Sequence, residues 1–203
     1  MDDVANKEAL TIDHYDNNAT AFWEGTKDHD VSQNISAFLS ALPTNKPLDI
    51  LDLGCGPGRD LHHFKSLGHK PIGLDGCATF CKMAFEHTGC KTLNQTFVNM
   101  DLSNRSFDGV FANAALFHIP RSEFFSVLKK LYACLRPNGI LFSSNPRGNT
   151  EGWHGQRYGH YLELEPSVDF LEQAGFEILH HYYRPEGKPI NQQPWLAIVS
   201  RKI

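Results

Sequence analysis

The chain has 203 residues, 41% hydrophobic, 21% charged and 11% aromatic, with a formal net charge of -4. That length fits one compact domain over residues 1–203, and the composition excludes a disordered or collagen-like chain. The mildly acidic balance argues against a phosphate-neutralising surface, so no nucleic-acid partner is expected.

No apolar run reaches the length of about 18 residues that a membrane helix needs, so no membrane association is expected. Met1-Asp2-Asp3-Val4 is acidic and lacks an apolar stretch behind it, so no signal peptide is expected. Cys55, Cys77, Cys81, Cys90 and Cys134 form no C-x-x-C pair. Their expected state is that of reduced thiols in a cytoplasmic protein, with no metal site.

Ser32 reads as the N-cap of a helix carrying Ile35, Phe38, Leu39 and Leu42 up to Pro43. Apolar runs and helical patterns then alternate. Leu48–Leu53 reads as a strand and Asp60–Leu67 as a helix closed by Gly68. Pro71–Asp75 reads as a second strand, and Thr79–Thr88 as a helix stopped at Gly89. Thr92–Phe97 and Phe107–Asn113 are further strands. After Pro120, Phe124, Val127, Leu128, Leu131 and Leu135 mark an amphipathic helix ending at Pro137-Asn138-Gly139. Ile140–Ser144 is a fifth strand, Ser167–Ala174 a helix with Gly175 at its end, and Phe176–Tyr183 with Trp195–Arg201 an antiparallel pair. The alternation predicts an α/β fold with a seven-stranded, mostly parallel sheet and helices on both faces.

Two stretches interrupt this pattern. Residues 1–44 form an arm and a first helix ahead of the core at 45–203, and Asn145 to Glu165 is a loop of about twenty residues. That loop carries aromatic and cationic residues, which favours a functional role over a linker.

The strongest motif is Asp52-Leu53-Gly54-Cys55-Gly56-Pro57-Gly58-Arg59-Asp60, at the end of the first strand and the start of a helix. Glycines at 54, 56 and 58 allow a sharp turn and a close approach to a ligand. Asp75 ends the next strand 21 residues beyond Gly54, where a carboxylate can accept from both hydroxyls of a ribose. A dinucleotide fingerprint would place its third glycine at Arg59, so that pattern fails.

The acid followed by alternate glycines resembles motif I of the class I S-adenosylmethionine-dependent methyltransferases. The resemblance implies a Rossmann-like fold, S-adenosyl-L-methionine as cofactor and S-adenosyl-L-homocysteine as product. It also implies that Asp52 orients the methionyl amine, with Gly54, Cys55, Gly56, Gly58, Asp75 and Gly76 around the cofactor. Asp101, beside Leu102, matches the acceptor of the adenine amine; the competing assignment is a turn cap over Ser103 and Asn104. The resemblance places Asn113 beside the transferred methyl group, His118 on the acceptor side and Tyr15 against the methionyl end; the competing assignments are a strand-end hydrogen bond to backbone for Asn113 and a capping or core histidine for His118. The residues Asn113-Ala114-Ala115-Leu116 lack the motif of DNA-base methyltransferases.

Further segments extend the likeness: Asp28-His29-Asp30-Val31-Ser32-Gln33-Asn34, Ser144-Asn145-Pro146-Arg147-Gly148, Gly155-Gln156-Arg157-Tyr158-Gly159, Tyr182-Tyr183-Arg184-Pro185 and Gln193-Pro194-Trp195. Together they resemble the methyltransferase domain of the ovothiol biosynthetic enzyme. This implies N-methylation of thiohistidine at the imidazole nitrogen nearer the stem, with a separate synthase supplying the acceptor. Such a zwitterion needs cations, anions and flat walls. Arg147 and Arg157 suit its carboxylate, and Asp28, Asp30 and Glu151 its ammonium. Phe117, Trp153, Tyr158, Tyr161 and Tyr183 suit its ring. Arg147 with Asn113 is the set expected to hold the sulfur away from the methyl group. Methylation of another small nitrogen or oxygen acceptor, and a non-catalytic cofactor-binding module, are the competing functions.

Overall fold

The computed structural model describes residues 3–43 and 46–203. Met1, Asp2, Thr44 and Asn45 lie outside it, and with them the acidic start and the boundary between arm and core.

Seven strands form the main sheet. In chain order they are β1 (Asp49–Leu53), β2 (Lys70–Asp75), β3 (Thr92–Asn94), β4 (Phe107–Asn113), β5 (Leu135–Pro146), β8 (Phe176–Arg184) and β9 (Trp195–Lys202). Their order across the sheet is β3-β2-β1-β4-β5-β9-β8, with β9 antiparallel to both neighbours. This is the predicted seven-stranded class I methyltransferase architecture. Chain direction across the sheet reverses between β1 and β4, so the loops after these two strands diverge and leave a crevice at their C-terminal ends.

Period-two alternation sorts the core onto two faces. Leu51, Leu53, Val110, Ala112, Leu141 and Ile198 point to one, where α6 (Arg121–Cys134) supplies Phe124, Val127, Leu128 and Leu131 and α7 (Leu164–Ala174) supplies Leu171 and Ala174. Ile50, Phe111, Ile140, Phe142 and Val199 point to the other, against Ile35 and Phe38 of α3 (Ser32–Ser40) and Phe64 of α4 (Arg59–Ser66). Gly109 is where Phe38 presses closest to the sheet; a Cβ there would lie 2.5 Å from the ring.

Four local readings change. The helix after Pro120 ends at Cys134, and Leu135, expected on its apolar face, opens β5. Ser32 opens α3 as its first turn, and the cap comes from Asp30, whose Oδ1 accepts from the Ser32 N–H at 2.9 Å. The arm is ordered as two helices, α1 (Asp3–Asn17) and α2 (Ala19–Thr26), whose mixed faces cover a site rather than the main core. Residues 145–165 are no irregular loop. They hold a β-hairpin of β6 (Thr150–His154) and β7 (Arg157–Tyr161), paired outside the main sheet, before α7 begins.

Candidate active site

The glycine turn after β1 curls under the crevice. Gly54, Gly56 and Gly58 have φ of +72°, +51° and +96°, a region that disfavours side chains. Gly54 and Cys55 N–H both donate to the Leu74 carbonyl at the end of β2, which ties the turn to its neighbour strand. A Cβ on Gly54 would lie 2.7 Å from that of Ala115, and one on Gly58 3.0 Å from Ala84 Cα.

Asp75 sits at the tip of β2, accepting from Gly56 N–H at 3.0 Å and Cys77 N–H at 2.9 Å. Burial pushes its carboxyl up to about 6 despite those bonds. Asp52 lies beneath the turn, 2% exposed, with Oδ2 unpartnered; burial, with the Asp60 carboxylate beside it, holds its carboxyl well above the usual range. The orphaned acid, the glycine cradle and the ribose-ready Asp75 fit a nucleoside carrying an amino-acid tail.

Helices α1 and α2 roof this cradle. Phe22 lies 3.7 Å from a Cβ built on Gly56 and packs edge-on to Tyr15. Asp16 Oδ1 accepts from Thr79 N–H at the start of α5 (Ala78–Thr88) and from the Cys77 thiol. Glu8 accepts from Val98 N–H and Thr96 Oγ1, and Thr11 Oγ1 from Tyr158 N–H in β7. The arm thus bridges the cofactor side and the hairpin.

A relay crosses the middle of the site. Arg157 donates to Tyr15 Oη at 3.2 Å, and Tyr15 Oη lies 2.9 Å from His118 Nε2. His118 Nδ1 lies 2.7 Å from the Tyr158 carbonyl, which can only accept. Nδ1 therefore carries the proton, and Nε2 accepts from the phenol. Burial, the leading cause, lowers His118 to about 4, so its ring is neutral at pH 7.

Tyr15, Phe22, Gly54, Gly56 and Ala114 stand where two chambers meet. One runs past Asp75, Gly76 and Phe97 under α1. The other, about 600 Å³, opens toward Arg59, Asp60, Asn113, Phe117, Arg157, Arg184 and Trp195. Its floor is a chain of amides and acids. Tyr182 Oη donates to Asn34 Oδ1, Asn34 Nδ2 to Asn113 Oδ1, and Asn113 Nδ2 to Asp60 Oδ2, while Arg59 grips Asp60 through two nitrogens.

The structure brings Tyr15, Gly54, Cys55, Gly56, Asp75, Gly76, Asn113, Phe117, His118, Arg157 and Asp30 to the chambers. Others stand elsewhere. Asp101 is exposed and caps Ser103 through its N–H and hydroxyl, while Leu102 is buried in the core; Thr96 and Phe97 line the chamber instead. Arg147 faces Glu163 at 3.7 Å and lies over the Tyr183 ring, outside both linings. Glu151 accepts from Arg121 N–H and Tyr158 Oη, Trp153 is 46% exposed, and Tyr161 stacks on His154. Asp28 is exposed and Gly58 packs on Ala84. Arg59, Asp60, Phe22, Trp23, Arg184 and Trp195 line the second chamber without having been assigned a site role from sequence. Arg59 and Asp60 directly follow the glycine turn, a signal that position alone could have supplied. Among the described residues no cluster of three metal-ligating side chains occurs, no helix is long and apolar enough to cross a membrane, and all five cysteines are free.

Residues 50–139 match a family model described as a methyltransferase domain. That segment contains the glycine turn, Asp75 and Asn113. The fold matches a 1,6-didemethyltoxoflavin-N1-methyltransferase from Burkholderia thailandensis, solved with 1,6-didemethyltoxoflavin and S-adenosylhomocysteine. The TM-score is 0.77 at 21% identity, covering 100% of this chain and 91% of that one. The N-methyltransferase NodS of Bradyrhizobium japonicum, bound to S-adenosylhomocysteine, matches at TM-score 0.67 and 16% identity, over 84% of each chain. Among curated relatives, sterol 24-C-methyltransferase erg-4 of Neurospora crassa is 23% identical over 67% of this chain and 41% of its own length. Trans-aconitate 2-methyltransferase of Paracidovorax citrulli is 28% identical over 57% of this chain and 45% of its own. The chain thus matches less than half the length of these curated relatives.

Proposed function

We propose that this chain methylates the imidazole ring of thiohistidine at the nitrogen nearer the side-chain stem, giving ovothiol A, after a separate synthase has formed the acceptor. S-adenosylmethionine, when bound, supplies an electrophilic methyl group on a sulfonium. The residues described here orient the acceptor toward it.

The relay at the junction carries this reading. Tyr15 Oη gives its hydrogen to His118 and takes one from Arg157, which leaves one lone pair facing the chambers. A ring N–H of the acceptor can donate to it, which aims the opposite, unprotonated ring nitrogen along a fixed direction. His118, at about 4, is a poor proton acceptor. It therefore fixes the phenol rather than carrying charge, and the rate gain comes from near-attack placement.

Chemoselectivity needs the sulfur held off the methyl group. With Arg147 turned to Glu163, Asn113 is the remaining member of the set expected to do this. Its Oδ1 and one amide hydrogen are committed, and its second amide hydrogen is free for a thiolate. Aromatic walls from Phe22, Phe117, Trp23 and Trp195 suit a flat ring. The arm from Asp3 to Asp30 acts as the lid that completes this chamber.

Thiohistidine incubated with the protein and cofactor, with the methylated atom located by NMR, tests the proposal. An N-methyl product at the stem-side nitrogen is expected; an S-methyl product or no product would overturn it. A panel of other small nitrogen and oxygen acceptors separates the nearest alternative. Cofactor binding without turnover on any of them would indicate a sensing module.

A further inference from the structure

We propose that Arg184, paired with Asp30, clamps the carboxylate and ammonium of the acceptor, so that the site selects a free α-amino acid over the same ring without its carboxylate; this rests on reading the second chamber as the acceptor site.

Four guanidinium groups stand near that chamber, and three are committed. Arg59 spends two nitrogens on Asp60, at 2.8 and 2.9 Å, and a third on the Thr26 carbonyl. Arg147 is outside the lining, beside Glu163. Arg157 reaches Tyr15 Oη and lies over that ring, at the junction between the chambers. Arg184 is different. It is half-buried and lines the chamber together with Pro185 and Trp195. Its one hydrogen bond is a long one, 3.4 Å to the Asp30 carbonyl, and no carboxylate among the described residues lies within ion-pair distance. A guanidinium has five N–H donors in a planar fork matched to a carboxylate. Most of that fork is unspent, and it faces the cavity.

Asp30 completes the pair. Asp30 is exposed; its Oδ1 accepts from Ser32 N–H, which pins the side chain, and Oδ2 accepts from no donor among the described residues. Arg184 and Asp30 therefore hold adjacent positive and negative groups at one rim of the chamber, joined by their own hydrogen bond. An α-amino acid carries the complementary pair on one carbon. The arginines and aspartates of the lining leave one cation in excess: Arg59, Arg157 and Arg184 against Asp30 and Asp60. That favours an acceptor with a net negative charge, as a thiolate-bearing amino acid has.

Calorimetry on protein loaded with S-adenosylhomocysteine tests this with two probes, thiohistidine and its decarboxylated counterpart. Wild type should bind thiohistidine roughly 10- to 100-fold more tightly, the range for one charge-assisted contact. Arg184→Ala should erase that preference by weakening thiohistidine alone, Arg184→Lys should restore part of it, and Arg147→Ala should leave it intact. Equal binding of both probes by wild type, or an undiminished preference in Arg184→Ala, would overturn the clamp. A carboxylate-dependent wild type that transfers no methyl group to the ring would leave the clamp standing and sink the proposed reaction. If neither probe binds, both fall.

Discussion

The two chambers, proposed as the cofactor and acceptor sites, share a roof but are assembled in different ways. The first is lined by the stretch that runs from the glycine turn to Phe80, by α1 and Phe22 of the arm, and by Thr96, Phe97 and the 114–118 segment, with Asp75 held by N–H groups two and nineteen residues away. The second draws on α2, the 29–31 turn, the start of α4, the end of β4, the β6–β7 hairpin and the β8–β9 connection. Local backbone geometry sets the part of the first around Asp75, and tertiary folding makes the whole of the second. Changes to the first should therefore act on cofactor affinity, and changes to the second on acceptor choice.

Removing the shared roof is the largest perturbation. Ala19 and the partly buried Ile12, Tyr15 and Phe22 form a small satellite cluster with Cys77 and Phe80, apart from the two main cores. A protein beginning at Lys27 keeps Ile35 and Phe38, so it should still unfold cooperatively in a thermal melt. Its turnover should fall below detection, because Tyr15 and Phe22 leave both chambers and Trp23 leaves the second. Retained turnover would contradict the lid.

Asp75 separates the chambers next. Asp75→Asn should weaken cofactor binding about 100-fold through two lost charge-assisted bonds to a ribose, with acceptor preference unchanged. Since the free carboxyl titrates near 6, wild-type affinity should be flat above pH 7. It should fall about tenfold per unit below pH 6, as binding must expel a proton. The variant should lack this slope. For stability the sign is opposite. A carboxyl raised from 3.8 to about 6 binds more protons folded than unfolded, so it costs stability as pH rises through that window. Cofactor-free Asp75→Asn should therefore melt higher than wild type at pH 8 and close to it at pH 4. A lower melt at pH 8 would show that its N–H bonds outweigh burial.

Tyr15→Phe sharpens the boundary itself. The ring and its packing on Phe22 remain, while the hydrogen bonds to His118 and Arg157 are lost. About a tenfold loss in kcat is expected, with cofactor affinity nearly unchanged. A pure rise in cofactor Kd would place Tyr15 wholly in the first chamber.

The same division explains what the sequence disclosed. Alternating apolar residues and glycine stops located every strand of the main sheet, since both signals are local. Gly54, Gly56 and Asp75 were legible for that reason. Arg147 was not, because a loop arginine's direction depends on what folds beside it, here Glu163 and Tyr183. Asp101 had two assignments open, and in the exposed turn after β3 its carboxylate accepts from Ser103, outside the lining of both chambers. The hairpin at 150–161 escaped notice because Gly152, Gly155 and Gly159 break its alternation. Arg184 and Trp195 flank a connection whose place over the site follows only from the antiparallel pairing of β8 and β9.

The smallest effect probes how far the acceptor floor extends. Tyr182 Oη is half-buried and bonds Asn34 at 2.9 Å, two links from Asp60. Burial pushes its phenol up to about 12, so it is a neutral donor throughout the working range. Tyr182→Phe removes that donor and leaves a buried amide oxygen unsatisfied, at a cost of about 1 kcal/mol in denaturant unfolding. Asn34 Nδ2 still donates to Asn113, so kcat and acceptor preference should stay within about twofold. A larger change in KM for the acceptor would mean that the Tyr182–Asn34–Asn113–Asp60 chain moves as one unit, and that the second chamber reaches through the sheet to its edge strand.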